Sequence, residues 1–230
     1  MSMATILQIE TATQACSVAI SRNGETIALK EELANNIHAG SLTLFIETAM
    51  ETAGLHFNDL DAVAVSKGPG SYTGLRIGVS TAKGLCFALD KPLIAIDTLQ
   101  TMAAGFLLEQ AGYEGLICTM IDARRMEVFT AVFDADLNYL VPTVAKIIDE
   151  QSFARELTLE KVTFIGDGAM KCAAVLQQDN ATFSGRNFNS ATNMSRLANE
   201  AYLKGQFEDV AYFEPFYLKD FVLTTPKKKV

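Results

Sequence analysis

Apolar residues recur along this chain with two periods, and each change of period marks a boundary between elements. Thr5 to Ile9 reads as a strand. SVAIS (17–21) and ETIALK (25–30) follow on either side of Arg22-Asn23-Gly24. An Asn-Gly pair between two such runs predicts a hairpin, because both residues tolerate positive φ. Beyond Asn35-Asn36 the period becomes 3.6, and Leu42, Phe45, Ile46, Ala49 and Ala53 form one stripe of a helix that ends near Gly54. DAVAVS (61–66) is a buried strand, GPGSYTG (68–74) a turn, Tyr72 to Leu89 a second helix, and PLIAI (92–96) a further strand.

From residue 98 a helix (TLQTMAAGFLLEQAG) leads into the same order again. GLICTMID, MEVFTAVFD and LNYLVPTVAKII are strands, the last interrupted by Pro142. QSFARELT is a short helix, KVTFIG a strand and GAMKCAAVLQQ a helix. After Asn180 only one helix, around Met194 to Lys204, and the irregular tail FEPFYLKDFV are expected. Each opening strand ends on an acid, Glu10 or Asp122, and each fourth strand in a glycine turn, GPG at 68–70 or GDG at 166–168. A duplicated β-β-β-α-β-α order predicts an α/β fold of the actin-like type shared by sugar kinases and heat-shock ATPases. Two lobes, 1–102 and 103–230, would then face each other across a cleft, with the acidic strand ends directed at phosphates or a metal.

Composition narrows the chemistry. With 19 basic and 27 acidic side chains the net charge is −8, so the chain is a poor binder of nucleic acid by itself. A partner is expected to hold any RNA. The one basic run, Lys227-Lys228-Lys229, reads as a solvated tail. Two histidines cannot build a His-rich metal site, and Cys16, Cys86, Cys118 and Cys172 form no CxxC pair. Four reduced, buried thiols are expected. The N-terminus lacks a basic start and places Glu10 where a signal's apolar core would continue. No apolar run approaches the roughly 18 residues of a membrane span. The expectation is a cytoplasmic protein without a membrane contact.

The segment SKGPGSYTGLRIGVSTAKGLCFALD is the richest in signal. It is not a Walker loop, since Leu75 follows Gly74, nor a GxGxxG loop, since Thr73 replaces the third glycine. Nor is it a GxSxG elbow, because Pro69 precedes Gly70-Ser71. The helix start still offers free N–H groups for weak anion binding. Gly70, Gly74, Gly78, Ala82 and Cys86 make a ridge of small residues, and Leu75, Val79, Ala82, Cys86 and Leu89 an overlapping apolar stripe. A helix apolar on two sides is buried on two sides. Packing within the chain and packing against another subunit both satisfy that pattern.

SKGPGSYTGLRIGVSTAKGL, preceded by ILQIETATQACSVAI, closely resembles the bacterial TsaB (YeaZ) family. The resemblance is strong from residue 4 to about 102 and thinner at IDARRMEVFTAVF, FIGDGA and EPFYLK. It implies a non-catalytic subunit of the machinery that makes threonylcarbamoyladenosine at position 37 of tRNAs reading ANN codons. The implied partners are the catalytic relative TsaD and the ATPase TsaE, with a homodimer when the chain is alone and tRNA reached only through the complex. In TsaD two histidines four apart hold the metal; here Thr98 and Met102 stand at those positions, and neither suits a divalent cation. The implied cofactor set is empty for this chain, with ATP or ADP confined to the complex junction.

The resemblance also implies pairing through the first two helices. That makes His38, Leu42, Phe45 and Ile46 on the first, and Gly70, Gly74, Leu75, Gly78, Val79 and Ala82 on the second, the candidate interface. A leucine at Gly78 would then block association and spare the fold. Glu10, Ser71, Thr73, Arg76, Asp122 and Arg124 are candidate phosphate, nucleotide or partner contacts. The chain departs from the family at His38-Ala39, where HS is common, and at Lys219, where Arg is common. It departs too at Glu10, where many members carry Asp; the longer side chain would crowd a nucleotide–metal cluster. Two alternatives differ in class: a glycoprotease-like peptidase using Ser71 with His38, and an ATP-binding, kinase-like protein. The bland readings are a packed His38, a solvated His56, and Arg124-Arg125 as a strand-end turn.

Overall fold

Asn23 and Gly24 turn the chain with positive φ at both residues, 54° and 83°, and set the first hairpin. The computed structural model describes residues 4–33 and 38–219; Lys227-Lys228-Lys229 fall outside them. Strands Thr5–Glu10 (β1), Ala15–Arg22 (β2), Glu25–Leu33 (β3), Ala62–Gly68 (β4) and Leu93–Asp97 (β5) form a mixed sheet in the order β3-β2-β1-β4-β5. Strands Leu116–Asp122 (β6), Glu127–Phe133 (β7), Tyr139–Ile147 (β8), Val162–Ile165 (β9) and Ala181–Ser184 (β10) form a second, ordered β10-β9-β6-β7-β8. The two orders superimpose term by term: the first strand of each half is central, flanked by its antiparallel hairpin partner and by a parallel fourth strand. The duplication read from the pattern is therefore a duplication of topology.

Among the described residues six helices cover the sheets: His38–Ala53 (α1), Tyr72–Leu89 (α2), Thr98–Glu109 (α3), Ala154–Leu159 (α4), Ala169–Cys172 (α5) and Ser195–Leu203 (α6). Alternation along each strand sends its side chains to two faces, and in the inner strands both faces are buried, while β3 and β8 at the edges stay largely open. Leu7, Ile9, Val18 and Val65 pack under α1 and α2 on one face of the first sheet. Ile6, Ala62, Ala64 and Ile94 pack on the other, under Met194, Ala198 and Ala201 of the C-terminal helical segment. In the second half Cys118, Val132 and Phe164 pack with α4 and α5, while Ile117, Phe133 and Ile165 pack under Leu99, Met102 and Phe106 of α3. Each lobe thus covers one face of its sheet with a helix from the other half of the chain. The expected division at residue 102/103 falls inside α3.

Three expected elements differ. The helix expected over 168–178 is only Ala169–Cys172, and the chain then turns into the unexpected β10. ATFS is too short for its alternation to stand out from the polar residues around it. Pro142 does not interrupt β8, whose bonds to β7 instead shift register between Thr130 and Phe133. That strand lies at the sheet edge, where a missing N–H is tolerated.

Beyond α6, Glu208 N donates to Leu93 O (2.9 Å) along β5, and residues 213–219 continue without regular structure past α2 toward the second lobe.

Candidate docking face and interlobe cleft

The glycine ridge of α2 closes onto the end of β1. Ser71 N donates to Ala12 O (2.6 Å), and Thr11 Oγ1 donates to Gly74 O (2.8 Å). A Cβ at Gly70 would stand 2.2 Å from Ala12 O, one at Gly74 2.1 Å from Thr11 O, and one at Gly78 2.2 Å from Thr11 Oγ1. Close approach within the chain explains all three glycines. Leu42, Phe45, Ile46, Leu75, Val79 and Ala82 belong to the core, His38, Gly74 and Gly78 are buried as well, and Gly70 is half-buried. The candidate interface is corrected accordingly: these residues face inward from α1 and α2 onto the first sheet, except Gly70, which precedes α2, and His38, Gly70 and Gly74 also line the interlobe cleft. The helices still offer a surface, but on their other side. Leu44 on α1 is 59% and Phe87 on α2 86% exposed, and Thr48, Ser80 and Gly84 are exposed as well. Both apolar residues lie off the periodic stripes, and that misplacement is the signal stripe-counting passed over.

The two lobes enclose an open cleft of about 820 Å³. Of the candidate contacts, Ser71, Thr73, Asp122 and Arg124 line it. Ser71 caps α2, its Oγ accepting from Gly74 N (3.2 Å). Asp122 accepts from Arg124 N (2.7 Å) and Lys171 Nζ (2.5 Å), and its own N–H donates to Asp167 Oδ1 (2.9 Å). Burial raises the Asp122 pKa, but Lys171 and the Arg124 amide outweigh it and hold the carboxyl below its ordinary range. Burial, helped by the Asp122 charge, holds Asp167 above its own. Arg124 and Arg125 both take positive φ (71° and 51°) in the tight turn between β6 and β7. DARR thus forms the strand-end turn, and Arg124 lines the cleft from it.

Arg76 stands outside the cleft, over the Tyr72 ring (4.3 Å), and donates to the Tyr217 hydroxyl (3.2 Å). His38 Nε2 lies 3.1 Å from Ala15 O, and Ser71 Oγ accepts from Gly74 N. His56 is exposed at the start of a short turn.

Glu10 is not a cleft residue. It is fully buried at the end of β1, with Oε1 accepting from Ala12 N (2.6 Å) and Ser66 Oγ (3.0 Å). Burial pushes its pKa up to about 7 against the pull of those bonds. An acid whose folded pKa exceeds its unfolded value is stable when protonated and loses stability as pH rises through the folded pKa. The shift from 4.5 corresponds to about 3 kcal/mol, forfeited as pH rises from the unfolded pKa of 4.5 to the folded pKa of about 7. Glu10→Gln is expected to flatten urea midpoints across that window and to exceed the parent at pH 8. Parallel pH profiles for the two chains would contradict a buried, titrating Glu10.

Among the described residues no group of three His, Cys, Asp or Glu side chains is placed to hold a metal. Thr98 is buried at the start of α3, and Met102 lies in the core beneath the second sheet. All four cysteines are free and buried, and burial raises their pKa.

Two lobes of one topology, each with an acid-tipped first strand and facing across a cleft, define the duplicated actin-like class. An activator of 2-hydroxyisocaproyl-CoA dehydratase from Clostridium difficile shares that fold at TM-score 0.50 and 11% identity, over 89% of this chain and 97% of that one. YeaZ from Pseudomonas aeruginosa is far more similar: TM-score 0.79 and 26% identity over 94% of this chain and all of that one. The family model for TsaD, tRNA N6-adenosine threonylcarbamoyltransferase, matches residues 29–226. The tRNA threonylcarbamoyladenosine biosynthesis proteins TsaB of Haemophilus influenzae and Escherichia coli are 34% and 31% identical, each over 94% of both chains. The chain belongs to the TsaB family of tRNA threonylcarbamoyladenosine biosynthesis proteins. None of its described helices is long and apolar enough to cross a membrane.

Proposed function

We propose that this chain is a non-catalytic, cytoplasmic subunit that docks a TsaD-type transferase through the outward face of α1 and α2, pairs with itself when alone, and recruits TsaE once the pair has formed. The observation that carries this reading is that Thr98 and Met102, both buried, stand at the positions where the resemblance to TsaD places metal ligands, with Met102 packed in the apolar core. Neither side chain suits a hard or borderline divalent cation. The docking role rests on Phe87 and Leu44, large apolar groups held in water by helices whose undersides are already satisfied. With a net charge of −8 the chain leaves the tRNA contacts to the partner.

A nucleotide belongs at the junction of the two subunits in this reading. Glu10, the acid that would face a phosphate–metal cluster, is instead buried and hydrogen-bonded within the first lobe. The deciding experiment combines this chain with the TsaD-type transferase and TsaE of the same organism, tRNA, ATP and threonylcarbamoyl-adenylate. The expected result is no modified adenosine from this chain alone, and light scattering that reports a defined complex with the transferase. Turnover by this chain alone, or no complex, would refute the proposal.

A further inference from the structure

The mouth of the cleft is crossed by the chain's own C-terminal strap. Its root is fixed in the first lobe. Phe213 packs with Val210 against the core beneath α2, its N–H donates to Asp209 O (2.8 Å), and Lys83 Nζ donates to the carbonyls of Ala211 (3.2 Å) and Phe213 (2.8 Å). Past Pro215 the strap crosses the end of β4, where Phe216 N donates to Lys67 O (2.7 Å). A Cβ on Gly68 would stand 2.7 Å from Phe216 O, so the crossing needs the glycine, whose φ is +113°. Tyr217 then lies against Tyr72, ring centroids 4.9 Å apart, and accepts from Arg76 Nε. The tip reaches the second lobe. Lys219 pairs with Glu127 and lies 6.0 Å from the centroid of the Phe129 ring.

We propose that residues 216–219 are a releasable latch that sets the opening of the interlobe cleft, with Tyr217 as its grip on the first lobe and Lys219 as its grip on the second. The root holds by half-buried Val210 and Phe213 packed on the core and by two Lys83 hydrogen bonds to its carbonyls, whereas the tip holds by a few partly exposed contacts. An ion pair of that kind shifts an equilibrium by about 2- to 5-fold, and an aromatic pair by about 2- to 10-fold. Segments held so lightly open far more often than the core they rest on. Phe216, Tyr217, Leu218 and Lys219 all line the cleft, so release of the tip removes one of its walls. The latch is a property of the isolated chain and does not depend on the docking role.

The test uses the full chain with nitroxide labels at Thr52→Cys on α1 and Thr158→Cys on α4. The native thiols are buried and leave those two sites to the label. Pulsed dipolar spectroscopy of a Tyr217→Ala, Lys219→Glu chain is expected to show a longer interlobe distance, its population up about tenfold over the parent. Adding Glu127→Lys to Lys219→Glu restores the ion pair with reversed charges, and is expected to return the distances toward the parent's. In Lys219→Ala, a mild surface change, the Phe216 amide is expected to exchange about 2- to 5-fold faster. An unchanged distance distribution in the folded double variant, or a charge-swapped chain that stays open, overturns the latch. An unchanged Phe216 exchange rate does the same.

Discussion

Alanine at Gly74 is expected to destabilise the protein by about 3 kcal/mol, lowering its melting temperature by about 6–12 °C. On helix propensity alone the sign would be reversed, since alanine improves a helix interior by about 1 kcal/mol over glycine. Packing decides the matter. The new Cβ would stand 2.1 Å from Thr11 O, a backbone atom fixed by the end of β1, and neither α2 nor the strand can retreat without breaking the Thr11–Gly74 hydrogen bond. Gly84, with nothing within 4 Å of its added Cβ, is the control: Gly84→Ala is expected to raise stability by about 0.5–1 kcal/mol. Thermal and urea unfolding read both variants. A Gly74→Ala midpoint within 2 °C of the parent would rule out the close approach. Leucine at Gly78, expected from the sequence to report on association alone, instead drives into Thr11 Oγ1 and reports on folding.

Phe87→Glu is expected to weaken association with a TsaD-type transferase by about 30-fold or more while leaving the melting temperature unchanged. A ring that is 86% exposed contributes little to the isolated fold. An aromatic at the centre of a docking face commonly carries about 2 kcal/mol or more of the binding energy, and a carboxylate there adds the cost of burying a charge. Calorimetric titration of variant and parent measures the loss, and the same substitution should shift any self-association seen in light scattering. Full affinity in Phe87→Glu would move the docking face off the C-terminal half of α2. Leu44→Glu then tests whether α1 carries it.

The sequence and the structure agree most closely where one force sets the pattern. Period-2 strands and the α1 and α2 stripes were legible because burial against a sheet imposes them, and the Asn23-Gly24 hairpin because its turn needs two residues at positive φ. The duplicated topology followed from their order. What escaped was the identity of the surface that each buried side meets. Gly70, Gly74 and Gly78 announced a close neighbour, and only the position of Thr11–Ala12 shows that it belongs to the same chain. Glu10 was misplaced for a related reason. Strand parity puts it on the face of Ile6 and Gln8, beneath the returning C-terminal segment, but nothing local to residue 10 reveals that a segment more than 170 residues later covers that face. β10 and the shortened α5 were lost because four-residue elements carry too few positions to display a period.

The exchange of α3 and α6 between the lobes bears on how this protein is made. A ribosome delivers the whole first sheet, with α1 and α2, before any of the second, yet one face of that sheet waits for Met194, Ala198 and Ala201. Until nearly nine-tenths of the chain has been synthesised, Ile6, Ala62, Ala64 and Ile94 have no cover of their own. A nascent first half is thus a sticky intermediate with an apolar flank, suited to holding by a chaperone and poorly suited to independent life as a truncated fragment.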